Sequence, residues 1–196
     1  MKSILLLLAF AGNLVAADPV RVTESFEGAY VVEWQENNAK LFNPRNAKQV
    51  QLVMRRGDDP GSRVYPKEFA VDIIETFEDA VPRIETAYLS IVGSEQQFEP
   101  AVQRYVEIYH VVVHGEDGGE MDGILKRVKG RIFLCFTSDK SAFRPRTFDT
   151  SAGSMTDPIM LMVGRSASPD ESKKILDAVA DAAAVAAAAD RIKASN

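Results

Sequence analysis

From Tyr30 to Arg165 the chain alternates apolar and polar residues in short runs separated by turn-forming clusters. Tyr30, Val32 and Trp34 alternate with Val31 and Glu33, the period of a strand whose successive side chains point to opposite faces. Val50, Leu52 and Met54 alternate with Gln49, Gln51 and Val53 in a second strand. Glu36-Asn37-Asn38 and Asn43-Pro44-Arg45-Asn46 supply turns, and Arg56-Gly57-Asp58-Asp59-Pro60-Gly61 has turn composition. Residues 67–81 fit two patterns: Phe69, Ile73 and Phe77 share a helix face, while Phe69, Val71, Ile73 and Phe77 share a strand face. Pro82, Gly93 and Pro100 divide the next region and exclude a long helix. Ile84 to Val92 and Arg104 to His114 are rich in β-branched and aromatic residues, as strands are. Gly123 to Arg165 reads as three more strands, so nine or ten are expected before residue 165.

The pattern changes after Arg165. Ser168-Pro169-Asp170-Glu171 is a capping box, with Ser168 as N-cap, Pro169 in the first helical position and Glu171 in the third. No Gly or Pro follows, and Ala dominates up to Asn196, so a helix of up to about 40 Å is expected. Ile175, Val179, Ala182, Val185 or Ala186, and Ile192 trace a narrow apolar stripe along it. Such a stripe predicts that the first half docks on the domain, while the rest is solvated or pairs with another chain.

Short antiparallel strands capped by one helix predict a mainly β chain, a barrel or sandwich followed by the Ala-rich helix. In a barrel of eight strands every second residue points inward, and the space is either filled by side chains or holds one small ligand. Tyr30, Val32, Trp34, Ile132, Leu134 and Phe136 are the candidate lining residues from alternation.

The first residues bear on destination. Lys2 precedes an unbroken apolar run from Ile4 to Ala11, Gly12-Asn13 interrupts it, and Val15-Ala16-Ala17 places small residues where a signal peptidase reads. Residues 1–17 are therefore expected to be a secretory signal peptide, too short in its apolar run to span a bilayer. That leaves a barrel domain over 18–165 and a helix over 166–196, exported to the periplasm or outside the cell. Losing Lys2 takes the formal charge from −5 to −6, because residues 1–17 hold no acid. An acidic chain without a Lys/Arg block repels phosphate backbones, so neither nucleic acid nor an anionic membrane surface is an expected partner. The one cysteine, Cys135, precludes an internal disulfide, and its apolar strand marks it as a buried, inert thiol.

The strongest local signature lies in the last third of the chain. Gly123-Ile124, Gly130, Leu134-Cys135, Arg144-Pro145, Phe148, Gly153-Ser154 and Arg165 follow one another with short spacings. With them, Gly115 to Arg165 resembles the C-terminal half of an uncharacterised lipocalin-like domain family common in planctomycete bacteria. Phe26-Glu27-Gly28-Ala29-Tyr30 resembles the Leu-x-Gly-Thr-Trp opening of such domains. The chain departs from the pattern at Leu125, Arg131 and Ile108-Tyr109, where the family carries Tyr, Asp and an Ile-Asp pair. The resemblance implies an up-and-down barrel and brings no activity with it. Gly123, Ile124, Gly130, Cys135, Arg144, Pro145, Phe148 and Arg165 are expected to serve the fold, Arg144 as a clamp on a carboxylate or on backbone carbonyls near the barrel end.

Catalytic and metal chemistry find little purchase. His110 and His114 are the whole histidine inventory, and on a strand they stand about 13 Å apart, too far for one metal ion. Glu116, Asp117, Glu120 and Asp122 read as a solvated turn that lacks the ligand spacing of an EF-hand. Gly164-Arg165-Ser166-Ala167-Ser168 lies between a strand and a helix, as a nucleophile elbow does, yet lacks the final Gly and has no histidine downstream. Arg56-Gly57-Asp58 spells an adhesion tripeptide that its turn composition explains as well. No enzyme and no cofactor is expected. Two functions are: a secreted binder of a small hydrophobic ligand, or a filled-barrel module that meets a protein partner through its rim and C-terminal helix.

Overall fold

A computed structural model describes residues 25–41, 47–57, 68–78, 82–115, 118–137, 144–151, 153 and 158–194. Residues 1–17, expected as a signal peptide, residues 43–46, expected as a turn, and Asp58, Glu116, Asp117 and Ser154 lie outside these residues. Among the described residues nine strands and one helix follow one another: β1 (Gly28–Asn37), β2 (Lys40–Leu41), β3 (Gln49–Arg56), β4 (Phe69–Thr76), β5 (Arg83–Glu99), β6 (Arg104–His114), β7 (Glu120–Val128), β8 (Arg131–Thr137), β9 (Ile159–Ser166) and α1 (Pro169–Ala194).

Each long strand pairs antiparallel with the next, and β1 pairs with β9, so eight strands close into a barrel with the two-residue β2 as an appendage on β1. Closure removes the sheet edges that an open meander would expose. Two-residue turns join β1 to β2 and β7 to β8. Asn38, Ala39, Lys129 and Gly130 all have positive φ there, as turns that follow the right-handed strand twist require.

Residues 67–81 resolve as a strand over Phe69–Thr76. Both faces of β4 are covered, which explains its double reading: Val71 and Ile73 belong with the barrel interior, and Ile74 lies beneath α1. Gly93 does not end its strand. The chain runs through it for 17 residues, with a bulge between Ile91 and Gly93 that absorbs one extra residue.

Three apolar clusters organise the molecule. The barrel interior holds one, with Phe26, Tyr30, Leu52, Leu89, Tyr109 and Leu125 at its heart. On the outside, Ile175 of α1 is buried against Ala29, Val31, Val53 and Ile74, with Val179 beside it. The first half of the helix therefore docks, while Val185 further along is 71% exposed. The third cluster lies on the outer wall of β6 to β9, where Phe148 packs against a layer that includes Ile124 and Cys135.

The capping box closes as its residue types dictate. The Ser168 amide donates to Glu171 Oε2 at 2.8 Å, and the Glu171 amide donates to Ser168 Oγ at 3.3 Å. Arg165 adds two bonds to the same carboxylate at 2.8 and 2.7 Å, and hydrogen bonding to that guanidinium is the main reason the Glu171 carboxyl titrates far below its usual range.

Candidate ligand cavity

The barrel is closed at one end and hollow at the other. At the closed end Phe26, fully buried, lies edge-on to Phe69 and to Tyr109, with ring centroids 6.0 and 5.3 Å away. Tyr30 Oη donates to the Phe26 carbonyl at 2.9 Å, and burial raises the Tyr30 phenol above its ordinary pKa. Above this floor is a cavity of about 740 Å³, walled by Leu52, Val71, Leu89, Val113, Leu134 and Phe136. Three methionines, Met121, Met160 and Met162, also line it. Their flexible thioethers accommodate apolar shapes that a rigid aliphatic wall would reject.

Tyr30, Ile132, Leu134 and Phe136 lie in the interior cluster, and Val32 packs against it. Of these, Leu134 and Phe136 line the open cavity, whereas Tyr30 belongs to the floor. Trp34 does not point inward; it is 44% exposed. A β-bulge is the cause. Between Val32 and Trp34 the register against β9 shifts, so Val32 faces Gly164 while Trp34 faces Val163 of the outer layer. One extra residue, Glu33, inverts the alternation, and Gln35 takes the inward place instead.

The mouth is polar. Glu75 on β4 is 8% exposed and lies opposite Arg83 of β5, and Glu85 stands two residues further along the same face of β5. Arg83 donates to Glu85. All three side chains line the cavity, with Gln35 across from them on β1. Asn37, opposite Met160 on β1, carries a buried Oδ1 with no hydrogen-bond donor among the described residues.

No family model, curated protein or solved structure matches this chain. The described signature residues between Gly123 and Arg165 lie on β7, β8 and β9, in the β7–β8 turn and on the connection that leads into β9. A Cβ on Gly123 would come within 2.9 Å of the Cys135 carbonyl oxygen, so close strand packing requires glycine there. Ile124 and Cys135 are fully buried partners on the outer wall, and burial pushes the thiol up to about 12. Gly130 makes the β7–β8 turn, Arg144 donates to Asp122 at 2.6 Å, and the buried Pro145 follows it. Phe148 lies 6.0 Å from Phe133, and between these rings sits Lys126 Nζ, which donates to Glu99 at 2.6 Å. Both termini of that ion pair are largely buried, so the carboxylate and the ring faces together hold the ammonium.

One constellation escapes sequence reasoning. Ser90 Oγ and His114 Nε2 are 2.9 Å apart, and His114 Nδ1 is 3.3 Å from Glu120 Oε1. Strand register brings them together, since His114 faces both Tyr88 and Glu120 across its two hairpins. The order is that of a catalytic triad, but Ser90 is 0% exposed and offers no substrate access to its hydroxyl. His110, on the same strand, lies 3.9 Å from Glu95 instead. Among the described residues no group of three or more His, Cys, Asp or Glu is placed to hold a metal ion. The elbow-like segment is also absorbed by structure: Ser166 Oγ donates to the Gly130 carbonyl and Ser168 caps α1.

Proposed function

We propose that this chain is an exported, lipocalin-like carrier that holds a small apolar ligand in its barrel. The cavity of about 740 Å³ carries the reading, because a barrel packed by its own side chains would leave no such space. Its size falls within the range of about 300–1,000 Å³ typical of small-molecule sites. Apolar walls supply affinity by releasing water, and the few polar groups at the mouth supply orientation. The sealed floor supports a one-ended cup rather than a channel. Export is the expectation from residues 1–17, and the up-and-down order of the strands supports the lipocalin-like part of the reading. A protein partner on α1 is a second reading, favoured by the exposure of Leu176 and Val185. Among the described residues no helix is long and apolar enough to cross a membrane.

Native mass spectrometry of the protein purified gently from its own host tests the carrier. The expected result is a discrete extra mass that leaves on unfolding. A bare mass, together with no uptake of added apolar compounds, would contradict it.

A further inference from the structure

Among the described residues the four methionines, Met54, Met121, Met160 and Met162, all belong to the barrel interior. They fall into two classes. Met54 on β3 is 2% exposed, packed in the core, and does not line the hollow. Met121 on β7 and Met160 and Met162 on β9 are half-buried and line the cavity. Register sets Met160 opposite Phe136 and Met162 opposite Leu134, so two of these thioethers belong to one apolar wall. A small solute in the cavity therefore lies beside three of the four sulfurs. The one thiol, Cys135, is fully buried on the outer wall, so sulfur oxidation inside the cup falls to the methionines. A hydroperoxide passes one oxygen atom to a thioether. The O–O bond breaks, an S–O bond forms, sulfur gives up two electrons, and water or an alcohol leaves carrying the proton. The sulfoxide is a polar acceptor among Leu52, Val71, Leu134 and Phe136, whose side chains donate no hydrogen bond. Water serves it while the cup is empty, and an apolar ligand would have to strip that water away.

We propose that Met121, Met160 and Met162 are an oxidation site inside the cup, where hydroperoxides convert them to sulfoxides and so release an apolar ligand. The release rests on the carrier reading above; the selectivity of the modification rests on the placement of the sulfurs alone. Coupling runs both ways. A ligand that covers the three thioethers keeps peroxide from them, so an occupied cup is protected and an empty one is switched off.

Treating the full chain with hydrogen peroxide at neutral pH, mapping the oxidised methionines by peptide mass spectrometry and titrating 1-decanol by calorimetry tests the proposal. Met121, Met160 and Met162 are expected to gain oxygen well before Met54, and more slowly when 1-decanol is present. The oxidised chain, still folded by circular dichroism, should bind 1-decanol about ten- to a hundredfold more weakly. Replacing the three together (Met121→Leu, Met160→Leu and Met162→Leu) nearly conserves volume and should leave binding insensitive to peroxide. If that variant does not fold, the order of oxidation and its slowing by 1-decanol in wild type still decide the matter. Oxidation of Met54 at the same rate, no protection by 1-decanol, or unfolding on oxidation would overturn the site. Unchanged binding after oxidation, or equal loss in the leucine variant, would overturn the switch while leaving the carrier standing. If the untreated chain takes up no 1-decanol, the carrier reading fails and the switch with it.

Discussion

The hydroxyl of Tyr30 donates to the main-chain carbonyl of Phe26, 2.9 Å away, and both residues are buried. This bond pins the segment before β1 across the end of the barrel and holds the Phe26 ring as a floor. Without the donor, the carbonyl would be desolvated and unpaired. Tyr30→Phe is therefore expected to lower stability by about 1–3 kcal/mol in urea titrations. An unchanged midpoint would mean that the carbonyl is served by another group.

Lys126 and Glu99 pair on the outside of the barrel under Phe148. Hydrogen bonding to Lys126 is the largest cause that holds the Glu99 carboxyl below its ordinary value. A lowered carboxylate contributes stability above its unfolded pKa and loses it as pH falls through the folded one. Glu99→Gln should therefore lose most against wild type near neutral pH and least in acid, with a difference of about 1–3 kcal/mol where the pair is charged. Chemical denaturation across a pH series would show the two curves converging; parallel curves would sink the assignment.

Cys135 acts in the opposite direction. The thiol ordinarily ionises at 9.0 and, because of burial, ionises in the native chain only at about 12. The unfolded chain thus loses its proton first, and the stability Cys135 contributes is complete below about pH 9 and falls as pH rises through that window. Cys135→Ala lacks this term, so the stability difference between it and wild type should narrow as pH is raised. A thiol reagent should leave the native protein unmodified at about pH 8 and react fully in denaturant. Prompt labelling of native protein would show that the outer wall opens.

The docked and undocked halves of α1 should behave differently. Ile175 is 1% exposed against the outer wall, and Ile175→Ala is expected to cost about 2–5 kcal/mol. Ending the chain after Ala182 removes the stretch around the exposed Val185 and should leave the melting temperature nearly unchanged. A large loss on that truncation would mean that the distal helix packs where its exposure says it does not.

Gly123→Ala tests whether sterics require glycine at this position. Its Cβ would press on the Cys135 carbonyl oxygen at 2.9 Å, on Val111 Cγ2 at 3.1 Å and on Phe136 Cβ at 3.2 Å. Backbone cannot retreat cheaply in a closed barrel, so a loss of about 1–3 kcal/mol is expected on thermal or urea unfolding.

Much of this architecture is legible in residue order, and the places where it is not have physical causes. Alternation at Val50–Met54 marks a strand because Gln49 and Gln51 make its outer side the more polar one, although Val53 on that side lies beneath α1. The same rule blurs over Phe69–Thr76, where Ile74 under the helix and Val71 and Ile73 in the barrel make both faces apolar. The capping box at Ser168 to Glu171 is visible because it is local, made within four residues.

What depends on register is hidden. A single bulge at Glu33 sends Trp34 outside and Gln35 inside, and alternation alone carries no mark of where a strand gains a residue. The approach of Ser90 to His114 and the meeting of Glu75 with Arg83 likewise arise from cross-strand pairing between segments that are read one at a time along the chain. In the sequence Glu75 and Glu85 pass for the polar side of their strands, and only closure of the barrel turns that side into the neck of a cup.

The most direct test of the carrier reading is uptake of an apolar probe by the full chain and by Ala87→Trp, whose added ring would occupy the cavity beside Val71 and Leu89. With 1-decanol or a polarity-sensitive dye of similar size, wild type is expected to bind one molecule per chain. The filled variant, folded by circular dichroism, should bind none. Uptake that survives the filling, or its absence from wild type, would contradict the account.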